Sequence, residues 1–552
     1  MRPIRGEPIA LPATDDTRMR RIELAVIGAI VILTALCRVP ALMSRPPLDH
    51  DEAISQLHAA GHAAEYAQAQ TSLTAPFGRI VAAQEFQRFL RLDRTKGVGD
   101  VARSMATLDI HPPAYFVLLR LWEDLLGETP RQGALLSFAL SLVALLLFAA
   151  LALRVLPPGF AALAVALFAS CEPLFLSSIL LRQYMLLCVF GLGWALALVV
   201  IVQRAEGERT KAGSALAAAV CGVGALYTWY LALFPVAAGV LGLATARGRR
   251  RLALSAAIAG AIAVMFLPLA PTAARQMAGS HAEGKQEGGA SLAHQAALNC
   301  WEFAALHVFP LPHASGDGMK SKAIRAALVL ALLAATGLGV AYQWRRTPLL
   351  IWLLTMSTVP IPLLVALQRI PSHAIAPGAA HRYLLLGAAF LCLVIASGLA
   401  MCPVLRRKPG LTMALGIVPV LLLVGQVKAF RASVAEDLAK VAPAGIGTGA
   451  DARGVLFVAD SVARGEVLPL AATLAPDAQM LVAPQDRLAA LLPEALANGQ
   501  YRAVVYCSYL QYGGTPQVRA QVADLISAKL PRLQPVRGKL DYKSYIVRCD
   551  RD

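Results

Sequence analysis

Charge is what this sequence has least of. Asp, Glu, Lys and Arg make up only 15% of its 552 residues, while 57% are hydrophobic. Soluble domains carry about 25% charged residues, so a fold that exposes its whole surface to water is excluded. The nine cysteines show no C-x-x-C or other metal-type spacing. Six of them (Cys37, Cys171, Cys188, Cys221, Cys392, Cys402) lie in or at the ends of apolar runs, where Cys behaves as a small hydrophobe. There is no Gly-rich phosphate loop and no obvious internal repeat. The net charge of +17 could suggest nucleic acid, but no basic face with aromatic or groove-reading residues accompanies it, so nucleic acid is not a partner.

What is present is a series of apolar runs, several longer than the roughly 18 residues that suggest a bilayer span. The chain reads as a polytopic α-helical membrane protein. Its first run lacks a small-residue cleavage site, which makes it a retained helix rather than a signal peptide. Between the runs lie basic clusters: "RMRR" at 18–21, "QRAEGERTK" at 203–211, "ARGRRR" at 246–251, "QWRR" at 343–346 and "LRRK" at 405–408. Placed inside by the positive-inside rule, they give a cytoplasmic tail at 1–21 and a transmembrane region at 22–427. About eleven spans are expected, at 22–43, 132–153, 159–178, 184–202, 212–230, 231–246, 252–271, 323–342, 348–367, 382–401 and 411–427. Residues 44–130 and 272–322 become long outer loops. Within the first, "RIVAAQEFQRFLRL" at 79–92 has the amphipathic pattern of a segment lying in the interface. "HPPAYFVLLRLWEDLLG" at 111–127 reads as a partly embedded helix, because counting it as a span would put the later basic loops outside.

Residues 428–552 change character. Short β-rich runs at 454–459, 478–483, 502–508 and 545–550 alternate with helical patterns such as 517–530, so a small outer α/β domain is expected. Cys507 and Cys549 fall on two of these strands, and a disulfide and two free buried thiols are both open.

On this topology one face collects the polar groups. Asp49, Asp51 and Glu52 follow the first span, and Asp109 and His111 open "LDIHPPAYF". Glu172, Arg182 and Tyr184 flank one outer turn, Tyr227 and Tyr230 end another helix, and Arg369, His373, His381 and Arg382 line "QRIPSHAIAPGAAHRYLLL". Interfacial anchoring alone can explain the tyrosines, and snorkelling can explain single arginines. Pro after His111 suits a helix start. The combination is harder to explain away, since an ionisable group at membrane depth costs about 2.5–3.5 kcal/mol on insertion scales. A carboxylate able to take a proton, opposite cations able to grip a leaving phosphate, describes group transfer from a lipid phosphate. The residues alone do not say that the group is a sugar.

The acid pair "DE" after the first span, followed by "HPPAYFVLLRLW", resembles glycosyltransferase family 39. That group holds the protein O-mannosyltransferases and the aminoarabinose transferases of the GT-C fold. "LRQYMLL", "LYTWYLALF" and "HRYLLL" are similar to its later motifs, and the match runs from 22 to about 400. The resemblance implies a GT-C-like fold in a bacterial inner (plasma) membrane, with the N-terminus cytoplasmic and residues 428–552 periplasmic. It implies inverting transfer from a polyprenyl-phosphate sugar to a lipid, glycan or protein hydroxyl. Asp51 matches the catalytic aspartate and Glu52 its companion. His111 and Arg182, with Arg369, His381 and Arg382, would face the donor phosphate. Tyr184, Tyr227, Tyr230 and Asp49 would contact substrate. Leu180 and Trp229 stand where relatives carry an acid and a histidine, so no metal is assigned, because hard divalent cations want several oxygen ligands. The alternative is a transporter or flippase for lipid or lipid-linked sugar. It would carry polar or broken helices near the midplane, often in repeats, whereas the helices here are polar mainly at their outer ends.

Overall fold

A computed structural model describes residues 13–45, 48–204, 212–245, 249–276, 319–367, 369, 380–441, 454–498, 501–509, 516–529, 532–534 and 544–550. The loop expected at 272–322 falls largely outside these. Each expected apolar run is helical, but not all are whole spans. Among the described residues six helices are long and apolar enough to cross a membrane: Thr17–Ser44, Pro130–Val155, Tyr184–Val202, Pro348–Val365, Arg382–Leu399 and Pro409–Asp437. Two bent pairs, Phe160–Ser170 with Glu172–Ile179 (55°) and Arg249–Phe266 with Ala270–Gln276 (74°), raise the number to eight if each is one span. Pro173 and Pro268 sit at these bends, where a missing N–H and ring clash with the preceding turn stop a straight helix. Ala212–Thr228 and Tyr230–Thr245 are shorter apolar helices, and Met319–Arg346 covers the run expected at 323–342. Ala114–Leu126 has 13 residues, about 20 Å of helix against a hydrocarbon core of about 30 Å, and is too short to cross.

The chain divides into two compact units. The first comprises residues 1–39, 138–178 and 184–427. In it, the opening helix Ala13–Ser44 holds both ends of Phe160–Ser170 with buried charge. Glu23 accepts the N–H groups of Ala161 and Ala162 (3.0 and 3.2 Å), and Arg38 donates to the Ala169 carbonyl (2.5 Å). Acid at the N-terminus and base at the C-terminus match the helix macrodipole and satisfy end groups that lipid could not. Met319–Arg346 and Ala380–Leu399 meet at glycines: a Cβ on Gly339 would lie 1.8 Å from the Val394 carbonyl oxygen. Such close backbone approach is how small residues join membrane helices.

The second unit comprises residues 40–137, 179–183 and 428–552. The segment 44–130, placed by sequence in the transmembrane region, thus belongs with the C-terminal residues. The centre of this unit is a six-stranded sheet in the order β1-β3-β2-β4-β6-β5. Four strands are those expected: β2 (Val455–Ala459), β3 (Gln479–Val482), β4 (Ala503–Tyr509) and β6 (Ser544–Asp550). Strands β2, β3 and β4 are parallel, joined by helices Arg464–Thr473 and Gln485–Asn498. β5 (Arg532–Gln534) closes one edge and β1 (Ile80–Ala82) the other, both antiparallel. β1 corrects the reading of 79–92 as an interfacial segment: it pairs with β3, and Phe86 and Phe89 are buried behind it.

Period-2 alternation sorts the sheet's side chains. Val455, Phe457 and Ala459 pack with Leu57, Tyr66, Phe77, Phe86 and Phe89, whereas Leu456 and Val458 pack with Leu488, Leu492 and Ile526. Cys507 is a free buried thiol. Its register partner is Ile546, three residues from Cys549. That is about 10 Å along the strand, beyond the reach of a disulfide.

Candidate active site

The helix His50–Ala60 begins with a complete capping box. Asp49, in extended conformation, accepts the Glu52 N–H (2.8 Å), and the Glu52 carboxylate accepts the Asp49 N–H (2.9 Å). The other Glu52 oxygen accepts the Leu181 N–H (2.8 Å) and pairs with Arg45. Burial pushes the Glu52 carboxyl up to about 7, against the pull of Arg45. These contacts give both acids a structural part beside the roles expected of them. Asp49, read as a substrate contact, is the cap. Glu52, read beside Asp51 in the chemistry, is buried and ties 179–183 to the start of this helix. That tie brings Arg182 beside Asp51.

Arg182 is almost fully buried. Its Nη1 donates to the Asp51 carbonyl and to Ser55 Oγ, both at 3.2 Å, and Nη2 lies 3.5 Å from His111 Nε2. His111 Nδ1 is 2.6 Å from Asp109 Oδ1, which also accepts the Ile110 and His111 N–H groups. An Nδ1–H donated to Asp109 leaves the Nε2 lone pair facing Arg182. Asp109 Oδ2 accepts from Arg464 at 3.1 Å. Burial alone would raise the Asp109 carboxyl, but His111 and His58 outweigh it and hold the group well below the usual carboxylate range. His58 is buried too, and burial lowers its pKa. Its Nε2 faces Arg464 Nη1 at 2.9 Å and its Nδ1 faces Ser104 Oγ at 3.0 Å. His58 Nε2 also lies 3.4 Å from Asp109 Oδ2, so the same nitrogen faces both a guanidinium and a carboxylate. Of the residues singled out in the sequence, Arg182 lies between the main chain of Asp51 and His111, while His58 and Arg464 were not among its candidates and Asp109 was noted without a role.

The other candidates belong to the first unit. Tyr184 packs against Tyr383 and Tyr383 against Trp229, with ring centroids 6.3 and 5.5 Å apart. Trp229 and Tyr383, with Leu187, Phe234 and Met356, line a small apolar hollow. Tyr227 and Tyr230, expected to contact substrate, reach the bent pair: their hydroxyls donate to the Met265 carbonyl (2.9 Å) and to Gln276 (2.5 Å). Arg382 stands half-buried in the first turn of Ala380–Leu399, and Arg369 is exposed. The side chain of His381 and all of His373 lie outside the described residues. Among the described residues no group of three His, Cys, Asp or Glu is placed to hold a metal ion.

No family model and no curated protein sequence matches the chain. Among solved structures it is similar to ArnT from Cupriavidus metallidurans in the apo state (TM-score 0.49, 12% identity, 95% of this chain and 98% of that one covered). It is also similar to the same protein bound to undecaprenyl phosphate (TM-score 0.37, 12% identity, 94% and 98% covered). A third is archaeal oligosaccharyltransferase AglB from Archaeoglobus fulgidus in complex with an inhibitory peptide and a dolichol-phosphate (TM-score 0.47, 11% identity, 88% and 69% covered). With each of these scores below 0.5, the reading of the site rests on its own residues.

Proposed function

We propose that this chain is a GT-C-type membrane glycosyltransferase that moves a sugar from a polyprenyl-phosphate donor to an acceptor hydroxyl at the periplasmic face of a bacterial inner membrane. The observation that supports this reading is the meeting of a buried guanidinium, Arg182, with the main-chain carbonyl of Asp51 and with the Asp109-held imidazole of His111. The Asp51 carboxylate takes the proton of the acceptor hydroxyl. The oxygen attacks the anomeric carbon from the face opposite the phosphate, forming the new C–O bond as the bond to phosphate oxygen breaks. The departing phosphate keeps the electron pair and is stabilised by Arg182, which grips such anions with forked hydrogen bonds. Inversion follows from this single displacement. The phosphate-binding roles of Arg369, His381 and Arg382 rest on the motif resemblance, as does the substrate role of Tyr184.

Purified protein given radiolabelled polyprenyl-phosphate sugar and membrane acceptors tests the reading. Covalent transfer, abolished by Asp51→Asn with folding retained, is expected. Translocation of the intact lipid without transfer would assign the chain to the flippase class, and near-normal turnover by Asp51→Asn would remove that carboxylate from the mechanism.

A further inference from the structure

The loop "ADSVARG" at 459–465 leads from β2 into the helix Arg464–Thr473, and its local chemistry is poor for a helix start. The N-cap, Ala463, offers no side-chain acceptor, and although Glu466 puts an acid in the first turn, Arg464 places a cation there too, where the macrodipole disfavours it. Gly465 follows, a residue that costs about 1 kcal/mol relative to Ala inside a helix. Both choices make sense through what they touch. A Cβ on Gly465 would lie 2.4 Å from the His50 ring, so glycine lets this helix lie directly against His50–Ala60. The Arg464 fork then donates to the Leu108 carbonyl (3.0 Å) and Asp109 Oδ2 (3.1 Å) and lies 2.9 Å from His58 Nε2. Local rules broken at one spot mark a place selected for something other than helix stability.

From Arg464 the contacts run without a gap to the candidate site. Asp109, held by Arg464 on one oxygen, uses the other to orient His111, and the imidazole Nε2 faces Arg182. We propose that Arg464, contributed by the C-terminal α/β part, is a positioning residue for the phosphate-binding guanidinium, acting on Arg182 through Asp109 and His111. This rests on the proposed function and gives the C-terminal residues a part in it. Lysine could not replace Arg464, because one ammonium lacks the planar fork that serves His58, Leu108 and Asp109 together.

The test is a double-mutant cycle on binding of undecaprenyl phosphate to the purified full chain in detergent, using Arg464→Gln, Arg182→Gln and the pair. Arg464→Gln is expected to weaken binding about tenfold, the scale of one lost charge-assisted contact, while thermal unfolding shows an intact fold. The double variant should bind no more weakly than Arg182→Gln alone, because Arg464 acts only through Arg182. Wild-type affinity in Arg464→Gln, or losses that simply multiply, would overturn the positioning role and leave the proposed function standing. A wild-type chain that does not bind undecaprenyl phosphate would overturn the phosphate site itself. If Arg464→Gln does not fold, Asp109→Asn, of the same shape, replaces it in the cycle with the same expectations.

Discussion

At the scale of single residues, two buried carboxyls set how the second unit responds to pH. Glu123 is buried, with one oxygen bonded to Gln56 Nε2 at 3.2 Å and the other without a partner. Burial pushes its pKa up to about 8, and that of Glu52 up to about 7. Both values are raised above the unfolded carboxyl, so the folded state binds more protons in between. Their contribution is fully present below about pH 4.5 and is lost as pH rises through about 7 and 8. Glu123→Gln keeps the shape and removes the charge. It should raise the unfolding temperature by a few degrees at about pH 9 relative to wild type and flatten the decline between pH 6 and 9. Calorimetry across that range checks it, and an unchanged slope would mean that Glu123 is not held neutral. Arg182→Lys makes the complementary point. It keeps the charge but gives up the fork shared by Asp51, Ser55 and His111, so donor transfer should fall at least about tenfold with the fold intact.

At the scale of elements, legibility followed local pattern. β2, β3, β4 and β6 were readable as runs of four to seven residues containing Val, Ile, Phe or Tyr, and in β2 and β4 the side chains alternate between two buried faces. β1 was not, since three residues in a helical context carry no period of their own and become a strand only by pairing with β3. The acid cluster after the first span was legible as a candidate site. What could not be read was which acid faces the chemistry, because a capping box and a catalytic pair look alike in "LDHDE" until Leu181 and Arg45 are in place. The same box makes a prediction. Asp49→Ala should cost about 1 kcal/mol of stability and also lower transfer, because Glu52 loses one of its fixed bonds. Asp49→Asn, still able to cap, should recover most of both. In the first unit, Glu23→Ala leaves the Ala161 and Ala162 N–H groups buried without an acceptor. At about 1–3 kcal/mol per orphaned group, its unfolding should shift more than that of Asp49→Ala, measured side by side in the same detergent.

At the scale of the whole molecule, the C-terminal residues invite treatment as an appended module, and the packing contradicts that. One face of the β2–β3–β4 sheet is covered by Leu57, Tyr66, Phe77, Phe86 and Phe89 from the segment 44–130 together with Val467, Leu468 and Leu470 of the helix Arg464–Thr473. β1 from that segment supplies the sheet's edge strand, and Tyr66 donates to the Val462 carbonyl at 3.1 Å. A chain cut after residue 441 would therefore strip the apolar cover from five aromatic and aliphatic side chains of the early segment. Buried side chains of this size contribute about 1.5–3 kcal/mol each, which is comparable in sum to the whole stability of a typical domain. The 44–130 segment of such a truncated chain should exchange its amide hydrogens rapidly and be cut early by protease, although it retains every residue of the "DHDE" and "HPP" motifs. Protection of 50–60 and 84–90 at the full-length level in the truncated chain would show that the two parts fold independently. The sheet would then be a passenger rather than half of the core that holds Asp51 and His111 in place.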